Sequence, residues 1–360
     1  MAHMNHLSRR GKFLLLSTIP LYFMVCGFLL QPVNEIWPGI VTLIREPDFL
    51  ITDYFVVGGV GAAFLNAGML TLLSIALIYF LGMEMDGHTI TSACLMFGFS
   101  LFGKNLLNIW AVMVGIWLYA KYHKMPVSKY IYIGLYGTSL SPIITQIMQI
   151  GQMPLIFRVF LALGAGMVIG FVLPPLATHV HFSHKGYSLY NVGFAAGIIA
   201  TVIVSLLKSF GITVESRLIW YTGNTMTFFA ILCILFAGMA VGALYVGGRQ
   251  AVEEYRAILK CSGIGGTDYL RDNGGPATVL NMAVNGFLST LMVVIAGGDL
   301  NGPTIGGIFT IVGFSSTGKH IRNIFPIMMG VYLAGLTKYW SISEPSPMLA
   351  FLFSTTLAPI

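Results

Sequence analysis

Charged side chains are scarce in this sequence. They make up 9% of its 360 residues, against about 25% in an ordinary soluble domain. A chain so poor in charge cannot cover a core with polar surface in water, which excludes a soluble enzyme. Catalytic and nucleotide motifs are missing as well. There is no HExxH, no GxSxG, no Walker A run and no Rossmann fingerprint, so nothing within the chain suggests nucleotide hydrolysis. Cysteine is sparse. Cys26, Cys94, Cys233 and Cys261 show no CxxC spacing and three lie inside apolar runs. They read as small buried hydrophobes. Acids are outnumbered, 13 against 19 bases, for a net charge of +6. The bases sit between apolar segments, as the positive-inside rule requires, so the excess does not imply nucleic acid.

What is present is hydrophobicity: 56% of residues are apolar and the mean hydropathy is +0.82. A spanning helix needs about 20 mostly apolar residues. Suitable runs are 12–31, 54–81, 105–120, 128–147, 154–177, 187–208, 219–247, 275–297 and 320–337, and a last one, 343–360, is interrupted by Pro347. Two further runs, 89–102 and 304–317, are short. A 14-residue helix rises about 21 Å, less than a hydrocarbon core about 30 Å thick. They are expected to be short buried helices or re-entrant halves. The first run, Phe13 to Leu30, exits into Gln31, Pro32 and Val33 with no small-residue cleavage site, so it reads as a retained helix rather than a signal peptide. Met1 to Met4 read as a cloning scar.

An internal repeat organises these runs. At an offset of 215 positions, residues 53–115 lie on 268–330 without a gap and share 21 identities in 63 positions. Asp53-Tyr54 meets Asp268-Tyr269, Leu65-Asn66 meets Leu280-Asn281, and Gly87-x-Thr89-Ile90 meets Gly302-x-Thr304-Ile305. Gly98-Phe99-Ser100-x-x-Gly103-Lys104 meets Gly313-Phe314-Ser315-x-x-Gly318-Lys319, and Asn108-Ile109 meets Asn323-Ile324. After a two-residue slip, Leu140-x-Pro142-Ile143 meets Leu357-x-Pro359-Ile360. Shared apolar composition would not align Asp, Asn, Ser and Lys in one register.

The expected organisation is a cytoplasmic amino terminus at 1–11, a first membrane repeat at 12–215 and a second at 216–360. Each repeat would hold about seven helical segments, one of them short or broken. An odd number of crossings inverts the second copy, and loop charges agree. Segment 32–53 has one base, Arg45, against Glu35, Glu46, Asp48 and Asp53, whereas its counterpart 247–268 has Arg249, Arg256 and Lys260. Segment 121–130 has Lys121, Lys124 and Lys129, and its counterpart near 336–343 has Lys338 alone. The amino terminus, 121–130, 179–186 and 248–272 are therefore expected on the cytoplasmic side. The first copy continues about 70 residues past Pro142-Ile143 while the second stops at Ile360, so the second repeat is expected to be truncated. The fold class is an all-α integral membrane protein with two inverted repeats.

The paired Gly-Phe-Ser-x-x-Gly-Lys runs, with Tyr190-Asn191-x-Gly193-Phe194-x-x-Gly197, resemble an uncharacterised family of bacterial polytopic membrane proteins, a domain of unknown function. The resemblance covers nearly the whole chain. It implies a multi-span protein and brings no activity, substrate or catalytic residue. The early stop departs from that family's longer pattern. A lesser likeness to urea channels, whose half-helices carry a Tyr-Asn-Gly run, differs in the spacing between elements.

Polar residues inside a membrane are costly and often functional, so the candidate substrate-binding residues are those repeated in both copies. Lys104 and Lys319 read either as anchors for an anionic group or as lysines snorkelling to the headgroups. Ser100 and Ser315 would share a helix face with them, as would Asn108 and Asn323. Thr89 and Thr304 open the short segments, where free N–H groups suit an anion. Asn66 and Asn281 need partners at mid-span, either solute, ion or helix. Tyr190 and Asn191 start a helix and would gate or line a pore. Asp53 and Asp268 read as helix caps, and Glu84, Asp86 and Asp299 as solvated loop residues or a cation vestibule. His179, His181 and His184 do not gather on one helical face, so no metal site and no cofactor is expected.

The expected function is secondary transport of a small polar solute across the bacterial inner membrane, coupled to H⁺ or Na⁺ by alternating access, with the paired lysines as the only support for an anionic one. The alternatives are a passive channel or a non-catalytic membrane subunit of a complex. An intramembrane enzyme would need a nucleophile with its base, or a metal cluster, and neither is visible. Expected partners are the lipid bilayer and the solute, with a homo-oligomer left open.

Overall fold

The computed structural model describes residues 8–46, 51–151, 153–212 and 218–359. Residues 1–4 and the repeat boundary at 215–216 lie outside them. The regular structure of the described chain is helical apart from one two-residue pairing, in which β1 (Ile51–Thr52) runs parallel to β2 (Leu218–Ile219). The helices are α1 (Arg9–Leu30), α2 (Val33–Arg45), α3 (Tyr54–Val57), α4 (Val60–Phe80), α5 (Gly87–Phe99), α6 (Trp110–Tyr122), α7 (Ile131–Gly137) and α8 (Pro142–Met148). They continue with α9 (Leu155–His184), α10 (Asn191–Ser209), α11 (Thr225–Ile258), α12 (Tyr269–Asp272), α13 (Gly275–Ile295), α14 (Gly302–Phe314), α15 (Ile321–Thr337) and α16 (Pro345–Phe353). Among the described residues, α1, α4, α9, α10, α11 and α13 are long and apolar enough to cross a bilayer. This is a multi-pass, all-α membrane architecture.

Six such helices are fewer than the ten long runs in the sequence, because several of those runs are divided or only partly helical. Run 54–81 breaks at Gly58-Gly59 into α3 and α4. Run 105–120 becomes helical only from Trp110, and run 128–147 falls into α7, a one-turn 3-10 helix at Thr138–Leu140, and α8. Run 343–360 yields α16 and another one-turn helix at Ser354–Leu357. Segment 32–53, read as a loop, holds α2. Segment 179–186 is mostly the last turns of α9, so His179, His181 and His184 lie on a helix rather than a loop.

The 215-residue offset recurs in the element bounds. It carries α3 onto α12, α4 onto α13 and α5 onto α14. Even the entry turns repeat, since α4 follows Gly59 at φ +87° and α13 follows Gly274 at φ +83°. The same offset places the start of α2 on Gly248, whose φ of +53° kinks α11. One copy breaks this helix pair with Gln31-Pro32, the other with a glycine.

The short helices α5 and α14 form the centre. Every residue of α14 is buried, as expected for a helix apolar all round. They cross antiparallel at small residues. A Cβ on Gly98 would stand 2.8 Å from the Gly306 carbonyl oxygen, and one on Gly313 would stand 3.3 Å from the Thr91 Cα. The offset converts one of these contacts into the other. The helix starts exchange partners in the same way. Asp268 accepts from the Gly87 amide at 3.1 Å, and Asp53 accepts from the Gly302 amide. Each repeat thus caps the other's short helix about a local twofold. Phe23 of α1 seals the crossing, its ring centroid 4.5 Å from Phe97 and 5.4 Å from Phe309.

Asp53 is fully buried and also accepts from the amides of Phe55 at 3.0 Å and Tyr221 at 3.1 Å. A buried donor left without an acceptor costs about 1–3 kcal/mol. Asp53→Ala is therefore expected to destabilise the fold by at least about 2 kcal/mol, seen as a lower unfolding midpoint in detergent. Asp53→Asn, which keeps an acceptor, should lose less.

Candidate functional site

The segments that leave the carboxyl ends of α5 and α14 are irregular, and they differ from the helical reading of the sequence. Ser100 and Ser315 are the C-caps, so Lys104 and Lys319 do not share a helix face with them. Asn66 of α4 holds the first segment, its Nδ2 donating to the carbonyls of Ser100 and Lys104, both at 2.8 Å. Asn281 of α13 makes the same two bonds to Ser315 and Lys319 at 2.7 Å. The Oδ1 atoms of Asn66 and Asn281 are buried without a protein hydrogen-bond partner. Asn108 Nδ2 donates to the Gly103 carbonyl and Asn323 Nδ2 to the Gly318 carbonyl, both at 2.9 Å. These asparagines close turns rather than extend a helical face.

Clamped this way, both lysines point inward. Lys104 is 1% exposed and Lys319 fully buried, so neither reaches toward a headgroup and the snorkelling alternative fails. Lys319 Nζ donates to the Tyr190 hydroxyl and to Thr355 Oγ1 at 2.6 Å. It lies 4.4 Å from the Tyr190 ring centroid and 5.6 Å from that of Phe314. Lys104 Nζ donates to the Leu135 carbonyl at 3.3 Å and lies 5.2 Å from the Phe99 ring centroid. Among the described residues neither lysine pairs with a carboxylate. Burying a lysine head without a counter-ion is costly, and its presence in both copies demands a reason.

The starts of the short helices are occupied. Asp86 Oδ1 accepts from the Thr89 amide at 2.8 Å and Asn301 Oδ1 from the Thr304 amide at 3.1 Å. With Asp268 and Asp53 added, Thr89 and Thr304 face acceptors, and the free N–H groups expected for an anion are taken. Of the other acids, Glu84 lies 3.8 Å from Arg9 and Asp299 accepts from the Thr225 hydroxyl at 3.3 Å.

A cavity of about 810 Å³ opens against this centre. Its walls come from both copies in matched pairs: Leu95 with Thr310, Phe99 with Phe314, Tyr136 with Phe353, and Ser139 with Thr356. It therefore straddles the local twofold, and the two phenylalanines standing over the lysines are both in its wall. Tyr190 and Asn191 line it from the start of α10. Asn191 is fixed by its Nδ2 donating to the Ala177 carbonyl at 2.9 Å. Of the sequence candidates, Tyr190 and Asn191 line the cavity and the lysines stand behind it. Ser100, Ser315 and Asn108 belong to the turns, and Asn66, Asn281 and Asn323 hold those turns from α4, α13 and α15. Thr355 was not anticipated. The signal was there: the register that aligns Leu140 with Leu357 also puts Thr138 on Thr355.

The protein family described as Protein of unknown function (DUF1576) matches residues 33–209 and 248–360. The chain belongs to this family. The DUF1576 match takes in both short helices, both lysines and Tyr190, and passes over most of α11. No curated protein and no solved structure matches the chain.

Proposed function

We propose that this protein is a secondary transporter of a solute bearing an anionic group, built from two inverted repeats and working by alternating access. The observation that carries this reading is the pair of buried, carboxylate-free lysines, one behind each phenylalanine of a cavity on the twofold between the copies. Two antiparallel short helices related by a perpendicular twofold become inverted halves once they stand across a bilayer. Carriers of that kind place their sites near the midplane, at the ends of discontinuous helices. The cavity rim supports the orientation, because Lys129, His181, Gly265 and Gly266 come from the three segments whose charges point to the cytoplasmic side. A cytoplasmic amino terminus follows from the same rule, and the inner membrane is part of the proposal.

In this mechanism the solute enters from the rim, and its anionic group draws on Lys319 through the Tyr190 hydroxyl. Lys104 and the turn held by Asn66 are the matching elements for the opposite opening. The lysine Nζ atoms supply hydrogen-bond donors at matched positions of the two copies, and the Oδ1 atoms of Asn66 and Asn281 supply oxygens for Na⁺. The α5–α14 crossing packs backbone against backbone at Gly98 and Gly306, which argues against a pore between these two helices. Purified protein in proteoliposomes is expected to show saturable counterflow with an organic anion from a screen that includes neutral amides and polyols. A Na⁺ or H⁺ gradient should drive accumulation, and Lys104→Ala and Lys319→Ala should each abolish it. Uptake without counterflow or gradient dependence would make it a passive channel. No flux of any class would favour a subunit of a complex.

A further inference from the structure

The walls of the cavity also define the kind of solute, on the premise that it is the transport site. We infer that the solute is a water-soluble amphipathic anion, with a flat apolar body and one acidic head, rather than a small hydrophilic ion. Five rings form a continuous arc around the space. Phe99 stacks on Phe353 at 6.1 Å, Phe353 meets Tyr190 at 6.3 Å, Tyr190 meets Phe314 at 4.9 Å and Phe314 meets Tyr136 at 6.4 Å. A hydrophilic solute would lose its hydration against these rings, and each unpaired polar group so buried costs about 2–7 kcal/mol. An apolar ring costs nothing there and gains dispersion with each wall. The volume falls within the range of about 300–1,000 Å³ that encloses whole organic molecules.

The sign of the head follows from what surrounds the arc. The charged or ionisable non-phenolic side chains lining the cavity are His88, Lys129 and His181, and among the lining residues there is no Asp or Glu. The nearest acid on this wall, Asp86, is engaged in capping α5 and accepting from the Tyr132 hydroxyl at 2.9 Å. Aromatic walls can also bind cations through their faces. Here the rings are already backed on their far side by lysine Nζ atoms, Lys104 near Phe99 and Lys319 near Tyr190 and Phe314. A cationic solute would meet Lys129 and no carboxylate among the lining residues. An anionic head near Tyr190 would instead accept from the hydroxyl that Lys319 Nζ donates to, with Lys129 in the same cavity.

Three indole probes differing in charge test this directly: indole-3-acetate, indole-3-acetamide and tryptamine, with lysophosphatidylglycerol as a fourth. Binding to the purified protein is read as thermal stabilisation. The acetate is expected to bind about tenfold more tightly than the amide, the margin of one charge-assisted contact, and tryptamine should not bind. Two cavity-filling variants should each abolish the acetate effect. They are Thr310→Trp and Gly197→Trp, the second at a position where a Cβ meets nothing within 4 Å, so at least one should fold. Equal binding of acetate and amide, binding of tryptamine, or acetate binding that survives both variants would overturn the inference. Stabilisation by the lysolipid alone would overturn it too, making the cavity a seat for membrane lipid. If no indole binds but a small polar anion shows counterflow, the transport reading stands and the amphipathic class falls.

Discussion

Lys319→Met is expected to leave the folded protein at least as stable as its parent and to abolish solute uptake. The Lys319 side chain is fully buried, and no carboxylate among the described residues offsets the lost hydration of its head. Replacing a buried charge by an apolar side chain of similar length is often neutral or stabilising by about 1–4 kcal/mol. The two hydroxyls that would lose it, Tyr190 Oη and Thr355 Oγ1, lie 3.4 Å apart and can bond each other. A residue kept for packing would show the reverse, a lower midpoint with uptake intact. Unfolding and proteoliposome uptake measured on one preparation separate the two roles. Lys104→Met is expected to behave alike, although its single bond, to the Leu135 carbonyl at 3.3 Å, makes its stability gain the larger.

The second large effect concerns the crossing. Gly98→Val is expected to destabilise the protein by more than about 3 kcal/mol, beyond the usual 1–3 kcal/mol of overpacking. The atom its Cβ would strike, 2.8 Å away, is the Gly306 carbonyl oxygen of the opposing backbone, which cannot turn aside as a side chain can. Gly306→Val should fail equally, because the same pair of helices is wedged from the other side. Gly238→Ala in α11, where an added Cβ meets nothing within 4 Å, is the control and should gain up to about 1 kcal/mol of helix propensity. Thermal unfolding in detergent checks all three.

The membrane class, the two short helices and the lysines were legible because charge scarcity and an ungapped repeat are properties of the sequence itself. Helix continuity was not. Hydropathy cannot distinguish an unbroken span from one cut at Gly58-Gly59 or at Thr138–Leu140, since glycine, serine and threonine are mild on any apolar scale. For the same reason Lys104 and Lys319 looked like the ends of helices, when the backbone had already turned at Ser100 and Ser315. The aspartate caps were legible as caps but not as exchanged ones. That Asp53 serves Gly302 and Asp268 serves Gly87 depends on how the copies pack, which no spacing within one copy records. The cavity was hidden for a related reason. Its pairs, such as Tyr136 with Phe353, share aromatic character rather than identity, and α10 joins it from outside the repeated core.

Inversion of the two repeats is the central claim, and cysteine labelling in intact cells tests it most directly. With the other native cysteines removed, Cys261, which is exposed, serves as the reference for segment 248–272. Arg45→Cys marks the equivalent region of the first copy. Lys124→Cys and Ser341→Cys mark a second equivalent pair, both at exposed positions. A membrane-impermeant maleimide is expected to label Arg45→Cys and Ser341→Cys from outside, and to reach Cys261 and Lys124→Cys only after the membrane is opened. Labelling of Lys124→Cys and Ser341→Cys from the same side would mean parallel repeats, and would contradict the account.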